Sequence, residues 1–413
     1  MENNNKRPRI KDLPRNVWAV SFTSFFMDIS SEMVVNILPL FLSNVLGVKT
    51  NIIGLIEGVA EATASLLKLF SGWLSDKLHS RKWLAVLGYG ISALSKPLFL
   101  LTGAWGSIAG ARWADRVGKG IRTAPRDALV ADSIEPRQRG LAFGFHRAAD
   151  TAGAMLGLLI AFFIVWKAQS VQNMLTVNTF RTIVIVSLVP AVLAVIALMV
   201  GSKEVKVEGQ RIAPKFGFKQ LGKPFMVFML IVGIFDLGNS SDAFLVLRAQ
   251  ERGVSVLGIL GMLVMFNLIY TLISTPAGSL SDRIGRRKLI VGGWIVYALI
   301  YLGFALVQAK WQVWLLYVVY GLYYGMAYGT AKALVADLVP EQLRGTAYGT
   351  YNAVLGILDL PASLIAGILW QGVGAWAGFG PSAPFFWGAG LAALAVVLMV
   401  VWLPKVMPKP VEA

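Results

Sequence analysis

Long apolar stretches alternate with short polar or glycine-containing turns along almost the whole chain. A helix needs about 20 apolar residues to cross a hydrocarbon core of about 30 Å. The pattern predicts twelve such spans, at 17–46, 50–76, 83–102, 106–133, 139–166, 181–201, 223–247, 254–280, 288–308, 311–337, 343–370 and 384–404. The fold class expected is therefore an all-α polytopic membrane protein. The first sixteen residues are polar and basic. The span after them is too long for a signal sequence, carries Asp28 and Glu32, and lacks a small-residue cleavage site, so no cleavable leader is expected.

Composition narrows the class further. Of 413 residues, 56% are hydrophobic and 15% charged, against about 25% charged in a soluble domain. That excludes disordered, fibrous and ordinary globular proteins. The net charge of +16 reads, in a membrane protein, as basic cytoplasmic loops facing anionic lipid and not as a nucleic-acid surface. Without cysteine, and with only His79 and His146, the chain offers no thiol nucleophile and no metal centre. Of its 38 Lys and Arg residues, 23 fall in the termini and loops of one side and six in the loops of the other. The bias puts both termini in the cytoplasm, which requires an even number of spans.

Three short sequences recur in order. Ala-Leu-Val-Ala-Asp occurs at 128–132 and 333–337. Arg139-Gly140-x-Ala142-Phe143-Gly144 returns as Arg344-Gly345-x-Ala347-Tyr348-Gly349. Gly72-x-Leu74-Ser75-Asp76 returns as Gly278-x-Leu280-Ser281-Asp282. The offsets are 205, 205 and 206, so the chain reads as two six-span halves, 1–201 and 223–413, joined by a polar cytoplasmic linker at 202–222. Parallel repeats around a midplane site are one architecture of secondary transporters.

The turn between the eighth and ninth spans reads Gly278-x-x-x-Asp282-Arg283-x-Gly285-Arg286-Arg287. Gly278 allows close helix approach, Gly285 a left-handed turn, and the arginines hold the cytoplasmic side. This turn resembles the loop signature of the major facilitator superfamily. Its first-half copy, with Gly72 and Asp76, departs from the signature: His79 stands at the turn glycine and Ser80 at an arginine. On the fourth span, Arg116-x-x-Lys119-Gly120-x-Arg122 resembles the superfamily's fourth-helix motif, and the run 115–129 is similar to that of a large group of bacterial permeases. The resemblance implies two pseudo-symmetric six-helix bundles, a relation to bacterial drug–proton antiporter-like permeases, and a place for Arg116 in proton coupling. The fifth span has Gly153-x-x-x-Gly157-Leu158 where the antiporter pattern has proline after the second glycine.

Charges inside the spans point to function. A charged side chain at the bilayer centre costs about 2.5–3.5 kcal/mol on the insertion scale, so these groups must face water or one another. At about 100° per residue, Arg112, Asp115, Arg116, Lys119, Arg122, Arg126 and Asp127 share one face of the fourth span. Glu57, Glu61 and Lys68 line the second span, Asp28 and Glu32 the first, Arg147 and Asp150 the fifth, and Lys96 lies within the third. Asp28, Glu32, Glu57, Glu61, Arg112, Asp115, Arg116, Arg147 and Asp150 are the proton-coupling candidates. Lys119, Arg122, Arg126, Asp236, Tyr320, Tyr324, Tyr328, Lys332 and Asp359 are substrate-cavity candidates. The face carrying Tyr317, Tyr320, Tyr324 and Tyr328 suits either helix packing or an amphipathic ligand. Gly72, Asp76, Gly278, Asp282, Arg283, Gly285 and Arg286 form the gate motif.

The expectation is a secondary transporter that moves a small organic, amphipathic solute by alternating access, with proton-coupled export as the mode the resemblance implies. The alternatives are a symporter or facilitator for a small organic anion, and a non-transporting receptor of transporter fold. No enzyme activity, cofactor, metal or nucleic acid is expected. The proton is the expected coupling ion. The partners expected are the solute and a bilayer with anionic lipids at its cytoplasmic face, around a monomer in the bacterial inner membrane.

Overall fold

A computed structural model describes residues 10–78, 80–135, 139–169, 174–205, 221–340 and 343–403. Among them are fourteen α-helices and no strand. These are α1 (Arg15–Val35), α2 (Leu38–Asn44), α3 (Thr50–Leu78), α4 (Lys82–Ser95), α5 (Trp105–Asp132), α6 (Arg139–Gln169), α7 (Val177–Gly201), α8 (Gly222–Leu237), α9 (Ala243–Glu251), α10 (Val256–Ile284), α11 (Arg286–Leu306), α12 (Lys310–Asp337), α13 (Arg344–Gln371) and α14 (Ala383–Val401). Eight helical stretches are apolar and long enough to cross a membrane by length and composition. Neither α3 nor α5 is among them, because their charged stripes lower the hydropathy that such a measure reads.

Two predicted spans are interrupted. The first, 17–46, breaks between α1 and α2. Pro39 has no N–H, and its ring would clash with the Val35 carbonyl one turn back, so α1 stops at Val35. The Asn36 amide then turns back to donate to Glu32 O at 3.0 Å and to Glu32 Oε2 at 2.7 Å. The seventh, 223–247, breaks over Gly238-Asn239-Ser240-Ser241-Asp242. Asn, Ser and Asp side chains compete with the helix for backbone partners, and the Ser241 hydroxyl accepts from the Ala243 N–H at 3.3 Å. The third ends early, with α4 giving way at Pro97 to a 3-10 turn, Pro97–Leu100.

The repeat is visible in the elements. Each of α3 and α10 has 29 residues, and each of α5 and α12 has 28. The chain forms two compact units: Met1–Phe41, Thr63–Ser170 and Leu175–Ala213 in the first, Leu42–Ala62, Val171–Met174 and Pro214–Ala413 in the second.

In the first unit α1 packs on α6 and α7, and α4 on α5. Glycines permit this. A Cβ on Gly157 would lie 2.5 Å from the Ile29 carbonyl oxygen, and one on Gly153 would strike that of Phe25. A Cβ on Gly88 would lie 2.6 Å from the Arg122 nitrogen. The starts of α1 and α4 and the ends of α5 and α7 meet at one end of the unit. There Arg15 Nε donates to Gly201 O at 2.7 Å, and Lys82 Nζ to Met199 O and Ser202 O, each at 2.8 Å. Positive charge at a helix C-terminus is favourable. Glu204 caps α4, accepting from the Arg81 N–H at 2.7 Å and the Lys82 N–H at 3.1 Å.

The second unit has an aromatic core. Phe235 stacks on Trp294 at 4.6 Å, and Tyr297 stacks on Tyr301 at 4.1 Å and lies 4.8 Å from Tyr323. At one end Arg248, fully buried, binds α9 to α11 and α14. It donates to Phe304 O (3.0 Å), Ala305 O (3.1 Å), Ser382 Oγ (2.9 Å) and Glu251 Oε2 (2.6 Å).

Candidate functional site

The first unit buries a cluster of charges. Pleating α5 at helical pitch puts Arg112, Asp115, Arg116 and Arg122 toward the interior, and all four are at most 5% exposed. Asp115 is the hub. Lys96 Nζ reaches its Oδ1 at 3.1 Å, and Arg116 Nη2 and Arg112 Nη1 approach its Oδ2 at 3.3 and 4.0 Å. Lys96 is fully buried and also donates to Ser31 Oγ at 3.2 Å. Arg122 lies 4.5 Å above the Tyr89 ring and donates to Ser92 Oγ. Three bases, Lys96, Arg112 and Arg116, thus converge on one carboxylate.

A second layer surrounds the same helix. Arg126 pairs with Asp127 at 2.8 Å and donates to Ser24 Oγ at 3.1 Å, which in turn bonds Tyr89 at 2.9 Å. Half-buried Asp28 stands within electrostatic reach of Asp150, Glu32, Arg122 and Lys119. His146 and Asp150 approach to 3.7 Å. The structure thus brings Asp28, Glu32, Asp115, Arg116, Lys119, Arg122 and Asp150 into one neighbourhood. Arg147 is exposed. Glu57, buried, and Glu61, half-buried, lie on the part of α3 that belongs to the second unit.

Reading the sequence for charged stripes placed Lys96 among the membrane bases but not among the coupling candidates. Its partner is 19 residues away, across the α4–α5 contact. Small residues at Gly88, Ser92 and Gly118 were the available signal, since they mark that contact as close.

The gate motif has a counterpart in each unit. Arg81 Nε pairs with Asp132 at 3.4 Å in the first, and Arg286 Nη1 with Asp337 at 3.1 Å in the second. Both residues of one pair lie 205 positions from those of the other. Gly72 is half-buried, Arg283 exposed, and Gly285 has φ +96° at the start of α11. The side chains of Asp76, Gly278 and Asp282 lie outside the described residues.

Of the second-unit candidates, Tyr320 is 1% exposed and donates to Asp242 Oδ1 at 2.8 Å. Tyr324, half-buried, meets Tyr320 and Phe266 edge-on at 5.1 and 5.2 Å. Asp236 is buried, while Asp359 and Lys332 are half-buried. The side chain of Tyr328 lies outside the described residues. No group of three metal-ligating side chains occurs among the described residues.

Comparisons with known proteins agree with this architecture. The model of the Major Facilitator Superfamily matches residues 20–358 and 227–413. An uncharacterized MFS-type transporter of Methanocaldococcus jannaschii is 36% identical over 406 residues, which is 97% of each chain. A multi-drug resistance efflux pump of Streptococcus pneumoniae is 24% identical over 80% of this chain and 82% of its own. The solved structure of a D-xylose–proton symporter superposes with a TM-score of 0.77 at 16% identity, covering 96% of this chain and 98% of that one. Two units of matching helices, a repeated loop motif with its ion pair, and a family match over nearly the whole length lead to one assignment: the chain is a polytopic membrane transporter belonging to the major facilitator superfamily.

Proposed function

We propose that the protein exports a small, amphipathic organic solute in exchange for protons. The observation that carries this reading is the buried cluster of Lys96, Arg112 and Arg116 around Asp115 in the interior of the first unit. Charges taken out of water are costly unless well paired, so a bundle that only needed stability would do better with apolar side chains. Several bases around one carboxylate, with Asp28, Glu32 and Asp150 close to the same helix, are instead suited to exchange of partners. Pairing with a cation favours the ionised carboxylate, and separation from it favours the protonated one. If the six-span halves 1–201 and 223–413 rock about the linker, such exchange links proton affinity to conformation, as coupling requires. Arg147 of the first unit, and Glu57 and Glu61 of the second, are further proposed coupling residues. Lys119, Arg122 and Arg126 of the first unit, and Asp236, Tyr320, Tyr324, Tyr328, Lys332 and Asp359 of the second, are the proposed substrate-contacting residues. The efflux role named for the pneumococcal relative favours export.

In this reading the termini and the basic loops face the cytoplasm of a plasma membrane, with anionic lipid against them. The transporter acts as a monomer without a cofactor.

A second reading is favoured by the number of bases on one face of α5, Arg112, Arg116, Lys119, Arg122 and Arg126: uptake or facilitated passage of a small organic anion. Purified protein in liposomes with an internal pH dye, challenged with cationic, anionic and zwitterionic compounds, separates the two. Proton movement opposite to a cationic or neutral amphiphile supports exchange. Anion entry without proton movement would replace it with the second reading.

A further inference from the structure

The connection between α13 and α14, residues 372–382, carries no charged residue. Its apolar side chains point outward all the same. Phe379 is 74% exposed, Val373 57% and Trp376 44%. Val373 and Trp376 are joined by a β-bridge, and the Trp376 and Phe379 rings meet edge-on at 5.2 Å. The three positions therefore make one apolar tip.

The backbone holds this tip out. Gly372 and Gly378 both take φ +75°, a conformation open to glycine, and a Cβ on Gly372 would strike the Trp376 carbonyl oxygen. The Phe379 N–H donates to Leu369 O at 2.8 Å, which folds the loop back on the last turn of α13. The base is tied on both sides. The Thr50 N–H donates to Gln371 Oε1 at 2.6 Å, and Asn51 Nδ2 donates to Gly372 O at 2.8 Å. On the other side, Arg248 Nη2 donates to Ser382 Oγ at 2.9 Å. A loop pinned in this shape keeps its apolar side chains outward.

The depth of the loop follows from α14. Its 19 residues rise about 28 Å at 1.5 Å per residue, close to the ~30 Å of a hydrocarbon core. Each end of α14 therefore lies near a lipid boundary. Its first turn exposes Phe386 and Trp387, and Trp402 is exposed just past its other end. Aromatic residues at both ends are the usual mark of the interface. Because Phe379 folds back to Leu369, the tip stays level with these helix ends.

We propose that the tip formed by Val373, Trp376 and Phe379 inserts into the lipid headgroup interface and anchors the α13–α14 connection there. An exposed apolar patch marks a membrane or protein contact. Lipid is favoured because the tip continues the exposed apolar side of α14, through Phe386 and Trp387 to Leu394, Val397 and Val401. An indole, with an apolar ring and one N–H, also suits the headgroup level. In the orientation proposed above this is the leaflet opposite the basic loops, and insertion itself does not depend on that orientation.

The chain has no cysteine, so single nitroxide labels can be placed by Phe379→Cys, Ala375→Cys or Lys49→Cys in the full-length protein. Each is read in nanodiscs of phosphatidylcholine and phosphatidylglycerol, with one protein per disc. Oxygen concentrates in lipid, and a nickel chelate stays in water. Labels at positions 379 and 375 should collide more with oxygen than with the chelate. The label at exposed Lys49, beside the Thr50–Gln371 contact, should do the reverse. Adding Val373→Ser and Trp376→Ser should return the label at position 375 to water. If Phe379→Cys does not insert, Ala375→Cys reads the same tip. Dominant collision with the chelate at both tip positions overturns the proposal, because the tip then stands in water. So does shielding from both reagents, which would place the tip against protein. Depth is read without transport, so neither result bears on proton coupling.

Discussion

Lys96 shows how much one side chain can decide. Its ammonium is fully buried and spans from Asp115 to Ser31. Lys96→Met leaves Asp115 with Arg112 and Arg116 but removes its closest cation. Breaking a buried pair by removing one partner costs about 3–5 kcal/mol, so the unfolding temperature in detergent should fall. The double variant Lys96→Met/Asp115→Asn should recover part of that loss, and the cycle should be clearly non-additive. Additive losses would mean that the two side chains act independently. Arg248 offers a contrast. It belongs to the second unit and joins α9, α11 and α14 through four partners. Arg248→Met should lower the unfolding temperature by an amount similar to Lys96→Met, while transport per folded molecule stays intact. Equal loss of both would give Arg248 a transport role. At this scale the sequence was only partly legible. Helical pitch identified the α5 stripe and flagged Lys96 as a base in the membrane. It could not select Asp115 as the common partner, because that depends on the rotation of α4 against α5.

Helices meet here where glycine lets backbones touch. Gly153 and Gly157 of α6 sit against the carbonyls of Phe25 and Ile29 on α1, whereas Gly90 of α4 has open space around its missing Cβ. Small residues at such contacts are a common means of helix association in membranes. Gly153→Ala should therefore lower the unfolding temperature. Gly90→Ala should be neutral or slightly stabilising, since alanine in a helix gains roughly 0.5–1 kcal/mol over glycine. Equal effects at both positions would count against the close α1–α6 contact. The paired ion bridges, Arg81–Asp132 and Arg286–Asp337, make a second prediction for elements. Asp337→Asn should shift the balance of end states, seen as altered cross-linking between cysteines introduced into this Cys-free chain, with insertion unaffected. Unchanged cross-linking would make the bridge purely structural. Most of the element plan could be read from hydropathy and the 205-residue repeat. The breaks at Asn36 and at Asn239 could not, although Pro39 and the Asn-Ser-Ser-Asp run were visible. Hydropathy reports burial in lipid and is insensitive to a lost backbone hydrogen bond within an apolar stretch.

Across the whole molecule, the charges divide unevenly. The first unit concentrates arginines and a lysine around Asp115, while the second combines tyrosines with Asp236 and Asp359. Total charge could not reveal a substrate class, because bases and acids inside the spans nearly cancel; only their assignment to separate clusters gives them meaning. The central claim is that the Asp115 cluster couples protons to transport. Its most direct test is Arg116→Gln in liposomes, with gradient-driven accumulation of a transported compound measured beside its exchange at equilibrium. The account predicts that accumulation falls at least tenfold while equilibrium exchange and compound binding survive. Full accumulation by correctly inserted Arg116→Gln protein would contradict it.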